Sequence, residues 1–308
     1  MVRAAPPSGK QFRLQLGDQT AVVTEVGAGL RSYTLGDREW LDGYGIEEMC
    51  SDARGQTFIP WPNRIADGRY RFRDHEHQLP LTEPAAHNAI HGLSRWANWH
   101  AAHANHQSVH MRWDLHAQPG YPFALRCELI YRLGSSGLAV ETRATNVGTA
   151  AAPYATGAHP YLSPGTGLID DLSLRVPAEA YYPTDERGIP TGRRSVEDSP
   201  YDLRRLRRLG EQELDTAFTD LARDAEGGAT VTVCAPDGAE ATLWMDPAYR
   251  YVEIFTGDSI PDVTRRRRGL GIEPMTAAPN AFQTGDGLIC LEPGETHSAV
   301  WGIRPARS

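Results

Sequence analysis

The chain has 308 residues, 40% of them hydrophobic and 23% charged, with 39 acidic against 31 basic side chains and a net charge of -8. That composition is ordinary for a globular protein and excludes a disordered chain or a membrane protein, while the acidic balance opposes nucleic acid or an anionic membrane as the main partner. Cys50, Cys127, Cys234 and Cys290 form no C-x-x-C pair, which excludes a zinc ribbon or a redox dithiol; two disulfides stay open, and the default is four small core residues in a reducing cytoplasm.

In chain order, residues 1–10 lack the continuous apolar stretch of a signal peptide, and no later segment approaches a membrane span. Period-two alternation predicts strands near 12–16, 21–24, 70–72 and 109–115. A hairpin follows: the odd positions from Leu125 to Leu133 are apolar, and after Gly134-Ser135-Ser136-Gly137 the alternation resumes at Leu138, Val140 and Thr142. A short helix is expected over residues 200–206 behind a Ser199 N-cap, within a charged connection running from Arg193 to Glu213. Further strands are expected at 231–233, 241–245, 251–255 and 299–303. With 30 glycines and 22 prolines as punctuation and no strand-helix repeat, this is an antiparallel all-β chain, read as a single domain over residues 1–308.

Four patches place a lone chemical group in an apolar or turn-forming frame. They are Arg64 in I-P-W-P-N-R-I (59–65), His91 in N-A-I-H-G-L (88–93), His159 in T-G-A-H-P-Y-L (156–162) and Glu273 in G-I-E-P-M-T-A-A-P-N-A-F (271–282). A buried carboxylate is costly without partners, and Pro274 restricts Glu273 to extended backbone. An imidazole suits proton transfer near neutrality. Each group also has a bland reading: Glu273 as a backbone acceptor, His159 as a core or turn histidine, Arg64 as a loop arginine paired with an acid, and Asp215 in E-L-D-T-A-F as a surface carboxylate. His110, Arg112, Asp114 and His116 alternate with Met111, Trp113 and Leu115, which is the polar face of a strand rather than a metal cluster. The run Arg265-Arg266-Arg267-Arg268 reads as solvated or acid-paired, with a phosphate site as the alternative.

In this order the four patches resemble the aldose 1-epimerase (galactose mutarotase) family. The resemblance covers roughly residues 10–305 and implies a galactose-mutarotase-like antiparallel β-sandwich, the supersandwich. It implies that Glu273, ahead of Pro279-Asn280, is the base and that His159 in His-Pro-Tyr is the acid, although Leu162-Ser163 follow where Phe-Asn is usual. Asn63-Arg64-Ile65 matches the family's Asn-Arg-Ile run and implies substrate binding by Asn63 and Arg64. His91-Gly92 matches its His-Gly pair, with Leu93 in place of a second glycine, and Leu214-Asp215 with Phe218 matches a sugar-binding aspartate. Galactose-acting members tend to carry glutamine where Glu253 stands, so the hexose is not fixed. Trp61 and Trp96 are candidates for stacking on a pyranose or for core packing. The implied activity is cofactor-free, metal-free interconversion of the α and β anomers of a small-molecule aldose by a monomer or homodimer. The alternatives are a hexose-phosphate 1-epimerase and a non-catalytic sugar-binding protein on the same fold.

Overall fold

The computed structural model describes residues 5–165 and 167–306. Antiparallel strands dominate, as the alternation predicts. In Leu125–Gly134 the side chains of Leu125, Cys127, Leu129, Tyr131 and Leu133 are buried while Arg132 is exposed. The chain returns as Gly137–Asn146 with Leu133 opposite Leu138 and Gly134 opposite Gly137. Gly137 has φ +129, and a Cβ there would lie 2.1 Å from the Ile303 carbonyl oxygen, so the close approach of the next strand requires glycine.

Two large sheets carry the structure. The nine-stranded sheet has Leu125–Gly134, Gly137–Asn146, Thr296–Ala306 and Glu240–Met245 at its centre, and the eight-stranded sheet has Asp215–Leu221, Tyr251–Phe255 and Leu270–Met275. Their apolar sides merge into one buried cluster, in which Val140, Leu243 and Trp301 of the first join Phe218, Ile254 and Ile272 of the second. Burying each such aliphatic or aromatic side chain contributes about 1.5–3 kcal/mol. No helix among the described residues is long and apolar enough to cross a membrane.

Two expectations need correction. Residues 200–206 form a turn, not a helix. Ser199 Oγ accepts from the Tyr201 N–H at 3.2 Å and donates to the Val196 carbonyl, and Asp202 Oδ1 accepts from the Arg204 N–H at 3.2 Å. Such local side-chain bonds offer the backbone an alternative to the helical ladder. Of the four cysteines, all free, Cys50 and Cys127 are buried, whereas Cys290 is exposed in the middle of the short strand Ile289–Leu291. Burial pushes the Cys50 thiol up to about 11, which makes it inert.

Candidate active site

The eight-stranded sheet sets out the site by register alone. Tyr251–Phe255 pairs with Leu270–Met275 so that Glu253 lies opposite Glu273. On the other side of Leu270–Met275, the neighbouring strand is interrupted: Gly157 pairs with Met275 and Tyr161 with Gly271, which puts His159 opposite Glu273. Because side chains alternate across a strand, Glu253, Glu273 and His159 form one row on one face, and Phe255 and Tyr161 occupy the next row with Gly271 between. The alternate residues, Val252, Ile254 and Ile272, point into the core. Glu273 is thus mid-strand rather than at a strand end. Pro274 is tolerated within the sheet because the ladder beside it is broken at His159-Pro160.

His159 Nε2 lies 3.1 Å from Glu273 Oε1, and the two residues are 4% and 2% exposed. The imidazole stacks on Tyr161, with centroids 4.4 Å apart and planes 11° apart, and meets the rings of Phe58 and Phe255 edge-on. Tyr161 is fixed in turn by its hydroxyl, which donates to the Asp52 carbonyl at 2.9 Å, and by the Arg54 guanidinium 4.7 Å from its ring centroid. A Cβ at Gly271 would stand 3.1 Å from His159 Cε1, so glycine lets the imidazole lie close to the sheet. Glu273 Oε2 is buried without a hydrogen-bond partner. An orphaned buried oxygen at the bottom of a cleft is the kind of atom reserved for a ligand.

Burial, reinforced by Arg95 and Arg54, holds the His159 pKa well below its ordinary value. Burial and then Asp215 push Glu273 well up, against the opposing pull of Arg64 and Arg95. Both shifts favour a neutral pair, a carboxylic acid beside an imidazole, over a carboxylate beside an imidazolium. The two descriptions hold the same number of protons and differ by one transfer along the 3.1 Å contact.

His91 is placed by two backbone reversals. Asn63 (φ 52) and His91 (φ 62) both adopt the left-handed conformation, and the His91 N–H donates to the Asn63 carbonyl at 3.0 Å. In return, His91 Nδ1 accepts from the Asn63 N–H at 3.2 Å. A backbone N–H can only donate, so the proton of neutral His91 sits on Nε2. The ring stacks on Phe58 at 3.8 Å between centroids, and burial followed by Arg95 keeps its pKa well below the usual value. One ligand atom each from His91, His159 and Glu273 lie within 4.8 Å of one another, a spacing a cation could use. The Asn63 N–H works against this, since the only His91 nitrogen free of it is protonated.

Arg64 bonds Glu83 through Nε at 3.0 Å, and its Nη1 lies 3.6 Å from Asp215 Oδ2. Burial pulls its pKa down, but the Glu83 and Asp215 carboxylates outweigh this and leave it raised. Asn63 Nδ2 donates to Glu253 Oε2 at 3.2 Å. All six residues named from the sequence, Asn63, Arg64, His91, His159, Asp215 and Glu273, line one cavity of about 200 Å³. That is below the ~300–1,000 Å³ usual for small-molecule pockets and suits a compact ligand.

Sequence reasoning missed Arg95, Tyr161, Asp52 and Ile260, which also line the cavity. Arg95 bonds Gln56 Oε1 through Nε at 2.8 Å and has no carboxylate within ion-pair range among the described residues. Neither tryptophan lines the cavity: Trp61 is core, packed on Phe282, and Trp96 is 54% exposed. None of Arg265, Arg266, Arg267 and Arg268 lines it either. Arg265 pairs with Asp42, Arg266 bonds the Ile260 carbonyl, and Arg267 bridges Asp170 and Asp258. On the polar strand face, His110 Nε2 contacts Glu128 at 2.8 Å, while Arg112 and Arg126 share Asp114.

Residues 10–304 match the family model described as aldose 1-epimerase. The chain is 34% identical over 298 residues to an Escherichia coli protein called YihR, described as uncharacterized, with 96% of this chain and 93% of that protein covered. It is 26% identical over 315 residues to galactose mutarotase of Bos taurus, covering 94% and 91% of the two chains. Among solved structures, a GalM/aldose epimerase homologue from C. elegans superposes with a TM-score of 0.87 at 18% identity, over 97% of this chain and 99% of that one, a likeness of fold.

Proposed function

From the chain's membership of the aldose 1-epimerase family, we propose that it interconverts the α and β anomers of an aldose by acid-base ring opening and closure. The observation that carries this reading is the buried His159–Glu273 contact at 3.1 Å on the floor of a sugar-sized cavity.

Exchanging anomers of a hemiacetal requires a proton to leave the anomeric hydroxyl and another to reach the ring oxygen. Glu273 takes the first and His159 delivers the second. The pair must first move its shared proton from the carboxyl to the imidazole, and an anomeric hydroxyl donating to the unpartnered Glu273 Oε2 favours that transfer, because hydrogen bonds to a carboxylate stabilise its charged form. Once the ring is open, rotation about the bond between the first two carbons presents the other carbonyl face, and closure with reversed proton roles gives the opposite anomer.

Arg64, already held by Glu83 and near Asp215, is placed to donate to sugar hydroxyls, and Asp215 to accept from them. His91 contributes an Nε2–H donor of fixed tautomer. Asn63 joins the cavity wall to Glu253.

The test is the optical rotation of freshly dissolved pure anomers of glucose, galactose and arabinose, with and without the protein. Acceleration by the wild type is expected, with a loss of roughly 10²- to 10⁴-fold in kcat for Glu273→Gln and for His159→Asn. Full acceleration by either variant removes that residue from the mechanism, and a wild type that speeds no aldose leaves a non-catalytic sugar-binding protein.

A further inference from the structure

Next to the cavity of the His159–Glu273 pair lies a second one of about 330 Å³, and the two share Asp215, Phe255 and Ser259 in their walls. Tyr181 and Tyr201 line the second cavity as a stacked pair, with centroids 4.2 Å and planes 25° apart. Tyr181 is only 7% exposed, yet its hydroxyl has no hydrogen-bond partner among the described residues. Thr216, equally buried and also without a side-chain partner, lines the same space. The other polar groups are the hydroxyls of Tyr182, Thr184 and Ser259 and three carboxylates: Asp215, near Arg64, Asp258, tied to Arg267, and Glu213, which is exposed. No lysine or arginine lines the cavity.

This lining selects a class of ligand. An aromatic wall takes the C–H face of a ring, unpartnered hydroxyls exchange hydrogen bonds with other hydroxyls, and a carboxylate accepts from them. A wall with carboxylates and no lysine or arginine of its own disfavours a phosphate or sulfate. The occupant is a neutral polyhydroxylated ring. Since the anomeric carbon must stand free at Glu273 and His159, anything reaching past Asp215 is attached through another carbon of the same sugar.

We propose that the Tyr181–Tyr201 cleft is a subsite for a second sugar ring, so that the preferred substrate is a reducing disaccharide. Its reducing ring lies at the His159–Glu273 pair and its other ring lies between the tyrosine stack, Thr216 and Glu213. The inference rests on the epimerase reading and adds the substrate's size to it.

The experiment compares enzyme-accelerated mutarotation of freshly dissolved anomers of maltose, lactose and cellobiose with that of glucose and galactose. At least one disaccharide is expected to show a kcat/KM about tenfold above that of its monosaccharide, the size of effect one stacked ring supplies. Tyr201→Ala should lower that ratio about tenfold, with Tyr201→Phe retaining it. Glu213→Gln, at an exposed position that folding does not depend on, should lower it as well. Acceleration of the monosaccharides with every disaccharide slower, or a ratio that neither Tyr201→Ala nor Glu213→Gln changes, overturns the subsite and leaves the epimerase reading intact. No acceleration of any sugar sinks both.

Discussion

Glu253 and Glu273 face each other directly across two hydrogen-bonded strands, both almost wholly buried. Opposed side chains in such a pair have Cβ atoms only about 4.5–5.5 Å apart, so two carboxylates cannot both be charged there. Burial, then Asp215 and Glu273, push the Glu253 pKa well above 4.5, and Arg64 only partly opposes this. These pushes favour the protonated form of Glu253.

Glu253→Gln is therefore close to isosteric with the form that burial favours. Its stability near neutral pH should lie within about 1 kcal/mol of wild type, since the amide oxygen can still accept from Asn63. For a folded pKa raised above the unfolded one, the stabilisation is complete below 4.5 and is lost as pH rises through the folded value. Melting temperatures of the wild type should fall on going alkaline, and those of the glutamine variant should fall less. Equal slopes would mean that Glu253 is ionised in the native protein.

His91→Phe removes the acceptor of the Asn63 N–H while keeping the stack on Phe58. A buried donor without a partner costs about 1–3 kcal/mol, readable by urea unfolding. The wild type should also weaken in acid. The folded pKa values of His91 and His159 are depressed below 6.5, so their contribution is complete above 6.5 and is lost as pH falls through the folded values. The phenylalanine variant should show a shallower acid decline; an unchanged decline would count against a neutral His91.

Gly188, at φ +73, lies against the Arg64 guanidinium, and a Cβ there would stand 2.5 Å from Nη1. Gly188→Ala should cost about 1 kcal/mol for the left-handed backbone. Because the tip of Arg64 is the group that must move, the larger effect should be a several-fold rise in KM with kcat little altered. A variant with unchanged KM would show that Arg64 does not touch the sugar.

The regular part of the architecture is legible in the alternation: Leu125–Gly134, Tyr251–Phe255 and Glu240–Met245 fall where period two puts them. Of the six residues that line the one cavity, Arg64, His91, His159 and Glu273 stand out as polar groups in apolar or turn-forming frames, whereas Asn63 and Asp215 are marked only by the resemblance of their motifs to a known family. What stays hidden is pairing at long range. Nothing near Arg64 in the sequence marks Glu83 as its partner, and the Asn63–Glu253 bond spans 190 residues. Tyr201 sits in a segment whose serine and proline suggest a helix start, and only the turn made by Ser199 and Asp202 brings it onto Tyr181.

Metal dependence gives a sharper test of the His91 tautomer. With Nε2 protonated, the group formed by His91, His159 and Glu273 offers two unprotonated ligands at most, so mutarotation should survive exhaustive chelation. Zinc titrated calorimetrically into the wild type should bind no tighter than into Glu273→Gln. A tight site lost in that variant, with activity restored by one divalent ion after chelation, would reverse this assignment.

The burial of the His159–Glu273 pair also bears on the open-chain sugar. In the proposed exchange, ring opening leaves Glu273 with a proton gained and His159 with one given up, which is the neutral arrangement that burial favours before any sugar arrives. In water the free aldehyde is a scarce form of an aldose. Under the proposed exchange the charge state that burial favours in the empty site returns while the aldehyde is bound, whereas each closed ring reacts from a separated pair of charges. On that proposal the site is electrostatically matched to the midpoint of the exchange rather than to either closed ring.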